Sequence, residues 1–131
     1  MRRTQRQPPA APAVLRIDRL GERGDGIGRL DGRPVYVAGA LPGELVRIGP
    51  GRKRGDGIAA DLLELIEPAP GRQAPPCRHF AACGGCALQH LAPDAYRSWK
   101  EERLMATLAR AGLRPAAVAP LVAAPLPAAP A

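Results

Sequence analysis

The stretch Gly26-Ile-Gly-Arg-Leu-Asp-Gly-Arg-Pro-Val-Tyr-Val37 has the pattern of a β-hairpin. Asp31-Gly32 separates two short runs, and an Asp-Gly pair readily adopts the positive φ angles that a two-residue hairpin turn requires. Val35 and Val37 alternate with Tyr36, which places the two valines on one face of a strand. This stretch therefore predicts two antiparallel strands joined by a tight turn.

Similar patterns occur on both sides of this hairpin. Two other runs alternate apolar and charged residues, namely Leu15-Arg-Ile17 and Val46-Arg-Ile48. Asp25-Gly26 and Asp56-Gly57 predict further tight turns. Residues 58–67 are ambiguous, because they have good helix propensity but would also bury alternate apolar residues as a strand. Several short strands at this spacing predict a mainly β unit that forms a small barrel.

Length, charge and cysteine content exclude several classes of protein. The 131-residue chain carries a formal charge of +7. No apolar run approaches the roughly 20 residues of a membrane span, so no membrane partner is expected. The basic start lacks the apolar region of a secretory signal. Three cysteines, an odd number, argue against a closed disulfide framework and fit a reducing compartment. A cytoplasmic location is therefore expected.

Basic residues in the predicted barrel are candidates for RNA binding. They are Arg23, Arg29, Arg52, Lys53 and Arg54, with Arg2, Arg3 and Arg6 in an N-terminal arm as a source of non-specific affinity. Arg52-Lys53-Arg54 lies between glycines and is predicted to form a loop tip. Basic loops on a small barrel suit the phosphates of single-stranded or folded RNA. Residues 13–71 contain nine basic and nine acidic residues, which fits a solvated surface equally well.

The three cysteines lie within ten positions of one another, as Cys77, Cys83 and Cys86. A Cys-x2-Cys pair allows two thiolates to converge on one metal, and the third cysteine can close over the same centre. Iron–sulfur clusters usually take four thiolates, whereas zinc takes four Cys or His ligands. His90 and, less favourably, His79 are the local candidates for a fourth ligand. The spacing predicts a metal site without deciding the metal.

After the cysteine segment, Pro93-Asp94 opens a predicted amphipathic helix that stops at Gly112. Tyr96 and Trp99 fall near one face of this helix and are expected to pack. The predicted organisation has five parts: a basic disordered arm over 1–12, the β-barrel over 13–68, the Cys-rich segment over 69–92, the helix over 93–113, and a Pro/Ala-rich extended tail over 114–131.

The stretch Cys77-Arg-His-Phe-Ala-Ala-Cys83-Gly-Gly-Cys86-Ala-Leu-Gln89-His90 closely resembles the iron–sulfur segment of the bacterial RNA uracil-5-methyltransferases. These enzymes use S-adenosylmethionine (SAM) to make 5-methyluridine in ribosomal or transfer RNA. Residues 17–21, 23–28 and 40–44 are similar to parts of their N-terminal TRAM domain. The resemblance covers roughly residues 13–125.

This resemblance implies an OB-like antiparallel barrel that binds RNA, with residues 58–67 as its closing strand. It implies that Cys77, Cys83 and Cys86 are three of the four ligands of a [4Fe–4S] cluster. In the resembled enzymes the fourth ligand, the SAM site and the catalytic residues lie downstream, and this sequence has no counterpart of them. Methyl transfer to uracil also needs a free thiolate nucleophile, and all three cysteines are assigned to the metal.

The sequence thus predicts an RNA-binding and iron–sulfur-binding module of an RNA uracil-5-methyltransferase, a fragment without activity alone. Its expected partners are rRNA or tRNA and a methyltransferase domain, which could be separately encoded. The alternative is a stand-alone, zinc-stabilised RNA-binding or interaction domain whose metal site is completed by His90.

Overall fold

The computed structural model describes residues 12–115 and 117–123. They divide into two compact units, the first ending at Arg72 and the second beginning at Gln73. The expected basic arm, with Arg2, Arg3 and Arg6, lies outside the described residues, as does the end of the Pro/Ala-rich tail.

The first unit is made of β-strands and the second contains the helices. The strands are β1 (Ala13–Leu20), β2 (Gly26–Leu30), β3 (Arg33–Val37), β4 (Leu45–Ile48), β5 (Arg52–Arg54), β6 (Gly57–Ala60) and β7 (Leu62–Glu67). The helices are the short α1 (Phe80–Cys83) and α2 (Pro93–Arg110).

The seven strands form one sheet in the order β5-β6-β3-β2-β1-β4-β7. All pairs are antiparallel except β3 with β6, which run parallel. The mainly β, OB-like fold expected from the sequence is confirmed. Within the described residues β5 pairs only with β6 and β7 only with β4, so strand pairing does not close the sheet into a complete barrel.

The core lies on one face of this sheet, where alternate residues of four strands, β1, β3, β4 and β6, meet Ala40 of the loop between β3 and β4. The buried residues of the core cluster are Leu15, Ile17, Val35, Val37, Ala40, Val46, Ile48, Ile58 and Ala60. The apolar alternation in the sequence therefore identified the buried face of β1, β3 and β4 correctly. Burying such side chains is the main source of stability for a unit of this size.

The Asp31-Gly32 hairpin is confirmed. Asp31 has φ 50° and Gly32 has φ 77°, as a tight turn with two left-handed residues requires. The flanking residues pair in the expected register, with Leu30 opposite Arg33 and Gly28 opposite Val35.

The other two Asp-Gly pairs do not supply the turn glycine. Gly26 and Gly57 are the first residues of β2 and β6. The positive φ angles occur two residues earlier, at Gly24 (84°) and Gly55 (58°). In each Gly-Asp-Gly run (24–26 and 55–57), the first glycine lies in the turn and the second begins the strand.

Residues 58–67 form strands, as the resemblance implied and against their local helix propensity, but they form parts of two strands and not the single closing strand expected. Asp61 separates β6 from β7, and the two strands pair with different partners, β3 and β4. Tertiary pairing outweighs the intrinsic preference of this segment.

In the second unit, α2 begins with Pro93 and Asp94 in its first turn, as the sequence predicted. Gly112 follows the helix with φ 76°. No residue of α2 is buried. None of the helices in the described ranges has the length and apolar character needed to cross a membrane.

Candidate nucleic-acid interface and cysteine segment

One face of the sheet carries the core, and the opposite face of β2, β3, β6 and β5 carries basic and aromatic side chains. We call this opposite side the outer face and define it by Arg29, Tyr36, Arg52 and Arg54. The register supports this assignment, because Tyr36 lies opposite Ala59, and Ala59 lies opposite Arg52. Directly opposed residues in neighbouring strands share a face.

The turn between β1 and β2 approaches the outer face. Its ends are tied by a hydrogen bond from the Gly21 N–H to the Asp25 carbonyl oxygen, 2.8 Å. The Asp25 carboxylate then accepts a hydrogen bond from Arg54 Nη1 at 2.7 Å. The carboxylate is 21% exposed and the Arg54 side chain 37%. This charge-assisted contact therefore joins the turn to β5 across a partly desolvated site.

Arg54 also contacts Tyr36. The guanidinium carbon lies over the Tyr36 ring, 4.6 Å from its centroid, in a cation–π arrangement. The Tyr36 hydroxyl lies 3.4 Å from Asp56 Oδ1. The ring comes so close to β6 that a Cβ at Gly57 would lie 2.9 Å from Tyr36 Cε2 and would clash with the carbonyl oxygen of Pro34. Glycine is required at position 57 by this approach.

The five basic residues expected to bind RNA are placed differently from one another. Arg54 is paired with Asp25, and Arg52 lies 4.0 Å from Asp61 with both side chains about three-quarters exposed. Arg23, Arg29 and Lys53 are exposed and form no ion pair with another described residue.

The prediction that residues 52–54 form a loop tip is wrong. They form strand β5, because each pairs with a residue of β6. The turn lies at Gly55 and Asp56 instead. Lys53 is opposite Ile58 and so points to the other side of the strand from Arg52 and Arg54. The structure thus brings Arg29, Arg52 and Arg54 to one face and leaves Lys53 off it.

A buried carboxylate, Glu44, organises the loop between β3 and β4. Its side chain has no exposed surface. It accepts hydrogen bonds from the N–H groups of Leu41 (2.8 Å) and Ala69 (3.3 Å), and from Arg72 Nε (2.6 Å) and Nη2 (3.0 Å). Arg72 Nη2 also donates to the Gly39 carbonyl oxygen at 2.6 Å. The segment after β7 is therefore anchored to the loop between β3 and β4.

Opposing effects act on the pKa of Glu44. Burial alone would raise the pKa of this carboxyl, because it disfavours the charged form. The hydrogen bonds from Arg72, Leu41 and Ala69, together with the positive charge of Arg72, outweigh burial and hold the pKa of Glu44 below its usual value. The ionised carboxylate is thus the form that the fold stabilises.

The three cysteines lie in the second unit, on and around the short helix α1, in a segment that is largely exposed to solvent. All three are free thiols, with Cys77 half-buried and Cys83 and Cys86 exposed. Among the residues that the structure describes, no three Cys, His, Asp or Glu side chains converge to hold a metal ion. Thiolates are the ligand type that iron–sulfur clusters use. The donors therefore suit such a cluster in kind, but they supply three ligands where four are needed.

Gln89 positions the start of the cysteine segment. Its side-chain oxygen accepts a hydrogen bond from the Cys77 N–H at 3.1 Å. Its backbone carbonyl accepts one from Gln73 Nε2 at 3.0 Å, and the Gln73 N–H donates to the His90 carbonyl at 2.9 Å. Sequence reasoning noted Gln89 only as part of a motif.

The two histidines differ in environment. His90 is 2% exposed, and its ring packs against that of Phe80 in α1, with ring centroids 5.3 Å apart. His79 is exposed and accepts a hydrogen bond from its neighbour Arg78. The structure gathers neither histidine with the three cysteines into a metal site.

On α2, Tyr96 and Trp99 contact each other with ring centroids 6.0 Å apart. Lys100 lies near both rings, and Arg103 lies over Trp99 at 5.4 Å. Both aromatic residues are half-buried, which agrees with the packing role expected for them.

Two residues of the site were missed by sequence reasoning. Tyr36 was noted only as the residue between two buried valines, although that position places it on the opposite face from the core. Glu44 was quoted only within residues 40–44, and its partner Arg72 lies 28 positions away. The first residue could have been found from strand alternation, whereas the second required the tertiary fold.

The chain is similar in sequence to one known domain family and to several RNA methyltransferases. The TRAM domain family matches residues 15–49, which run from β1 to just after β4. The chain is 42% identical over 117 residues to a 23S rRNA (uracil(1939)-C(5))-methyltransferase RlmD from Methylococcus capsulatus, and 46% identical over 100 residues to one from Halomonas elongata. It is also 45% identical over 100 residues to an uncharacterised RNA methyltransferase from Caulobacter vibrioides.

These alignments cover most of this chain and a small part of each relative. They include 88%, 76% and 76% of the chain, but 26%, 21% and 23% of the respective relatives. The chain thus spans about a quarter of the length of the curated relatives it matches.

Proposed function

Starting from a chain that contains a TRAM domain and is homologous to RNA methyltransferases, we propose that it is the RNA-binding module of an RNA uracil-5-methyltransferase. The observation that carries this proposal is the basic outer face, which is built from neighbouring strands, two of them (β2 and β3) within the residues that match the TRAM family. Basic side chains aligned on an OB-like sheet suit the backbone of single-stranded RNA. Because two of the relatives cited are named as 23S rRNA methyltransferases, ribosomal RNA is the proposed partner.

Within this proposal, the exposed cations without acidic partners contact phosphates. Arg23 and Arg29 meet that description on and beside the outer face, and Lys53 does so at the edge of the sheet. Each phosphate contact releases a counterion, so binding weakens as salt is added.

Methyl transfer and SAM binding are assigned to a methyltransferase domain outside this chain. The RNA-binding module and this domain are proposed to act together in the cytoplasm.

We further propose that Cys77, Cys83 and Cys86 hold a [4Fe–4S] cluster, with a fourth donor outside the described residues. Their free thiols and their position in an open segment support this assignment. A cluster bound there would hold the cysteine segment together. A zinc-stabilised domain is the competing interpretation. Anaerobically purified protein that is brown and contains iron and sulfide supports the cluster, whereas colourless protein with one zinc per chain contradicts it.

RNA binding is tested by titrating the chain into labelled single-stranded RNA at several salt concentrations. We expect the logarithm of the binding constant to fall linearly with the logarithm of salt concentration. The magnitude of this slope should decrease by roughly 0.7 for each phosphate contact removed. Arg29→Gln is expected to lower it by about that amount, and Arg47→Gln serves as the control because Arg47 is paired with Glu64. Absent or salt-independent binding of the unmodified chain would contradict the proposal.

A further inference from the structure

We propose that Arg54 is a stacking position for a base of single-stranded RNA, and that it does not act as a phosphate contact. The proposal rests on the RNA-binding function above and assigns one ligand group to one side chain. It follows from three observations on the outer face: the charge partner of Arg54, the aromatic ring beneath it, and the basic neighbours around it.

The positive charge of Arg54 is already compensated. Its Nη1 donates to Asp25 Oδ2 at 2.7 Å, and the Asp25 carboxylate is only 21% exposed. A phosphate approaching this guanidinium would also approach the carboxylate, and the repulsion would offset much of the attraction. Arg29, which has no acidic partner among the described residues, offers a phosphate a better site.

The Arg54 guanidinium is held in place from two sides. Tyr36 lies under it at 4.6 Å, and the Asp25 turn contacts its edge. The closeness of Tyr36 to the backbone depends on the missing side chain at Gly57. Because these contacts restrict the long side chain before any ligand arrives, little conformational entropy remains to be lost on binding.

The surface that remains open is suited to a base. The Arg54 side chain is 37% exposed while in contact with both partners. Unstacked RNA bases pair with aromatic rings and also with Arg guanidinium planes. Arg29, which has no acidic partner among the described residues, shares the outer face with Arg54, so a phosphate next to a stacked nucleotide would meet a cation. The ligand is therefore a nucleotide of a single strand, recognised by its flat base and not by its sequence.

The test uses the full chain and an RNA of about 12 nucleotides, within the range of an OB fold. Arg54→Lys keeps the charge and can still reach Asp25, but it lacks the planar group. We expect a loss of affinity of roughly fivefold to a hundredfold, the range for one stacked base, with the salt slope unchanged. Arg29→Gln is the matched comparison and is expected to change the slope. Wild-type affinity for Arg54→Lys, or a reduced slope, would overturn the stacking role.

A second measurement locates the stacked base with modified RNAs, first with the unmodified protein and then with Arg54→Lys. An abasic site is moved along the RNA, and the affinity of each oligomer is measured. We expect a loss at one position or a short run of positions, and we expect Arg54→Lys to abolish that loss. If no position matters, the inference is wrong while the RNA-binding proposal stands. If the intact oligomer does not bind, the proposed function itself is wrong.

Discussion

Replacing Arg72 by Met should destabilise the first unit strongly, because it leaves the Glu44 carboxylate buried without its cation. The variant removes the hydrogen bonds from Nε and Nη2 to Glu44, at 2.6 and 3.0 Å, and the bond to the Gly39 carbonyl. The carboxylate keeps only the N–H groups of Leu41 and Ala69. Methionine approximates the length of the aliphatic part of arginine, so the loss is mainly electrostatic.

The expected size follows from burial. Removing one partner of a fully buried ion pair costs about 3–5 kcal/mol. The Glu44 side chain is 0% exposed but that of Arg72 is 23% exposed, so solvent can reach part of the pair. We therefore expect about 3 kcal/mol, at the lower end of that range. For a unit of this size, that corresponds to a fall in Tm of roughly 12–24 °C.

Arg47→Met is the matched control. Its ion pair with Glu64 has nearly the same N–O distance, 2.9 Å, but its side chains are 45% and 56% exposed. Exposed pairs contribute about 0–1 kcal/mol. Urea unfolding followed by circular dichroism compares the two variants. Equal destabilisation of Arg72→Met and Arg47→Met would refute the argument that burial of Glu44 determines the cost.

Three other outcomes are expected. Because the pKa of Glu44 is lowered in the folded protein, its stabilising contribution is complete above the usual carboxyl pKa of about 4.3 and is lost as pH falls through the lower folded-state value. Urea unfolding at a series of pH values should show this decline in stability, and the decline should be smaller in Glu44→Gln. Gly57→Ala should cost about 1–3 kcal/mol in urea unfolding, because the new methyl group collides with its neighbours, Tyr36 among them, and retention of full stability would contradict that close approach. Gln89→Leu should weaken iron binding at the proposed cluster site, because the Cys77 N–H loses its acceptor. Losses of about 10–100-fold in metal affinity are typical for such supporting contacts, and the iron bound per chain after anaerobic reconstitution measures the effect. Unchanged iron binding would show that this hydrogen bond does not position Cys77.

Local features of the sequence were sufficient to predict part of the fold. The hairpin at Asp31-Gly32 depends on adjacent residues, and strand alternation identified buried positions such as Ile17 and Val35. Residues 58–67 were harder, because their helix propensity is local while their strand partners are distant. Ile58 pairs with Val35 in a parallel arrangement that no short-range pattern indicates.

The candidate site was predictable in its residue types and less so in their arrangement. The basic residues were identified, but the sequence does not reveal that Arg54 is neutralised by Asp25, 29 positions earlier. The sequence also does not reveal that Tyr36 contacts Arg54. This contact depends on the strand order, in which β6 pairs with both β3 and β5 and so brings them to the same part of the sheet. Which cations remain available to a ligand is decided by tertiary pairing, so composition alone could not separate a binding face from a solvated one.

The unclosed sheet has a consequence for the behaviour of the chain in solution. A strand with a free edge can pair with the same strand of another molecule and begin aggregation. At the β5 edge, three consecutive cations, Arg52, Lys53 and Arg54, would meet their own copies in such a pairing and repel them. The residues assigned to RNA thus also oppose self-pairing at this edge of the sheet. Charge-removing variants in β5 therefore need a check of oligomeric state, because RNA affinity and solubility will change together.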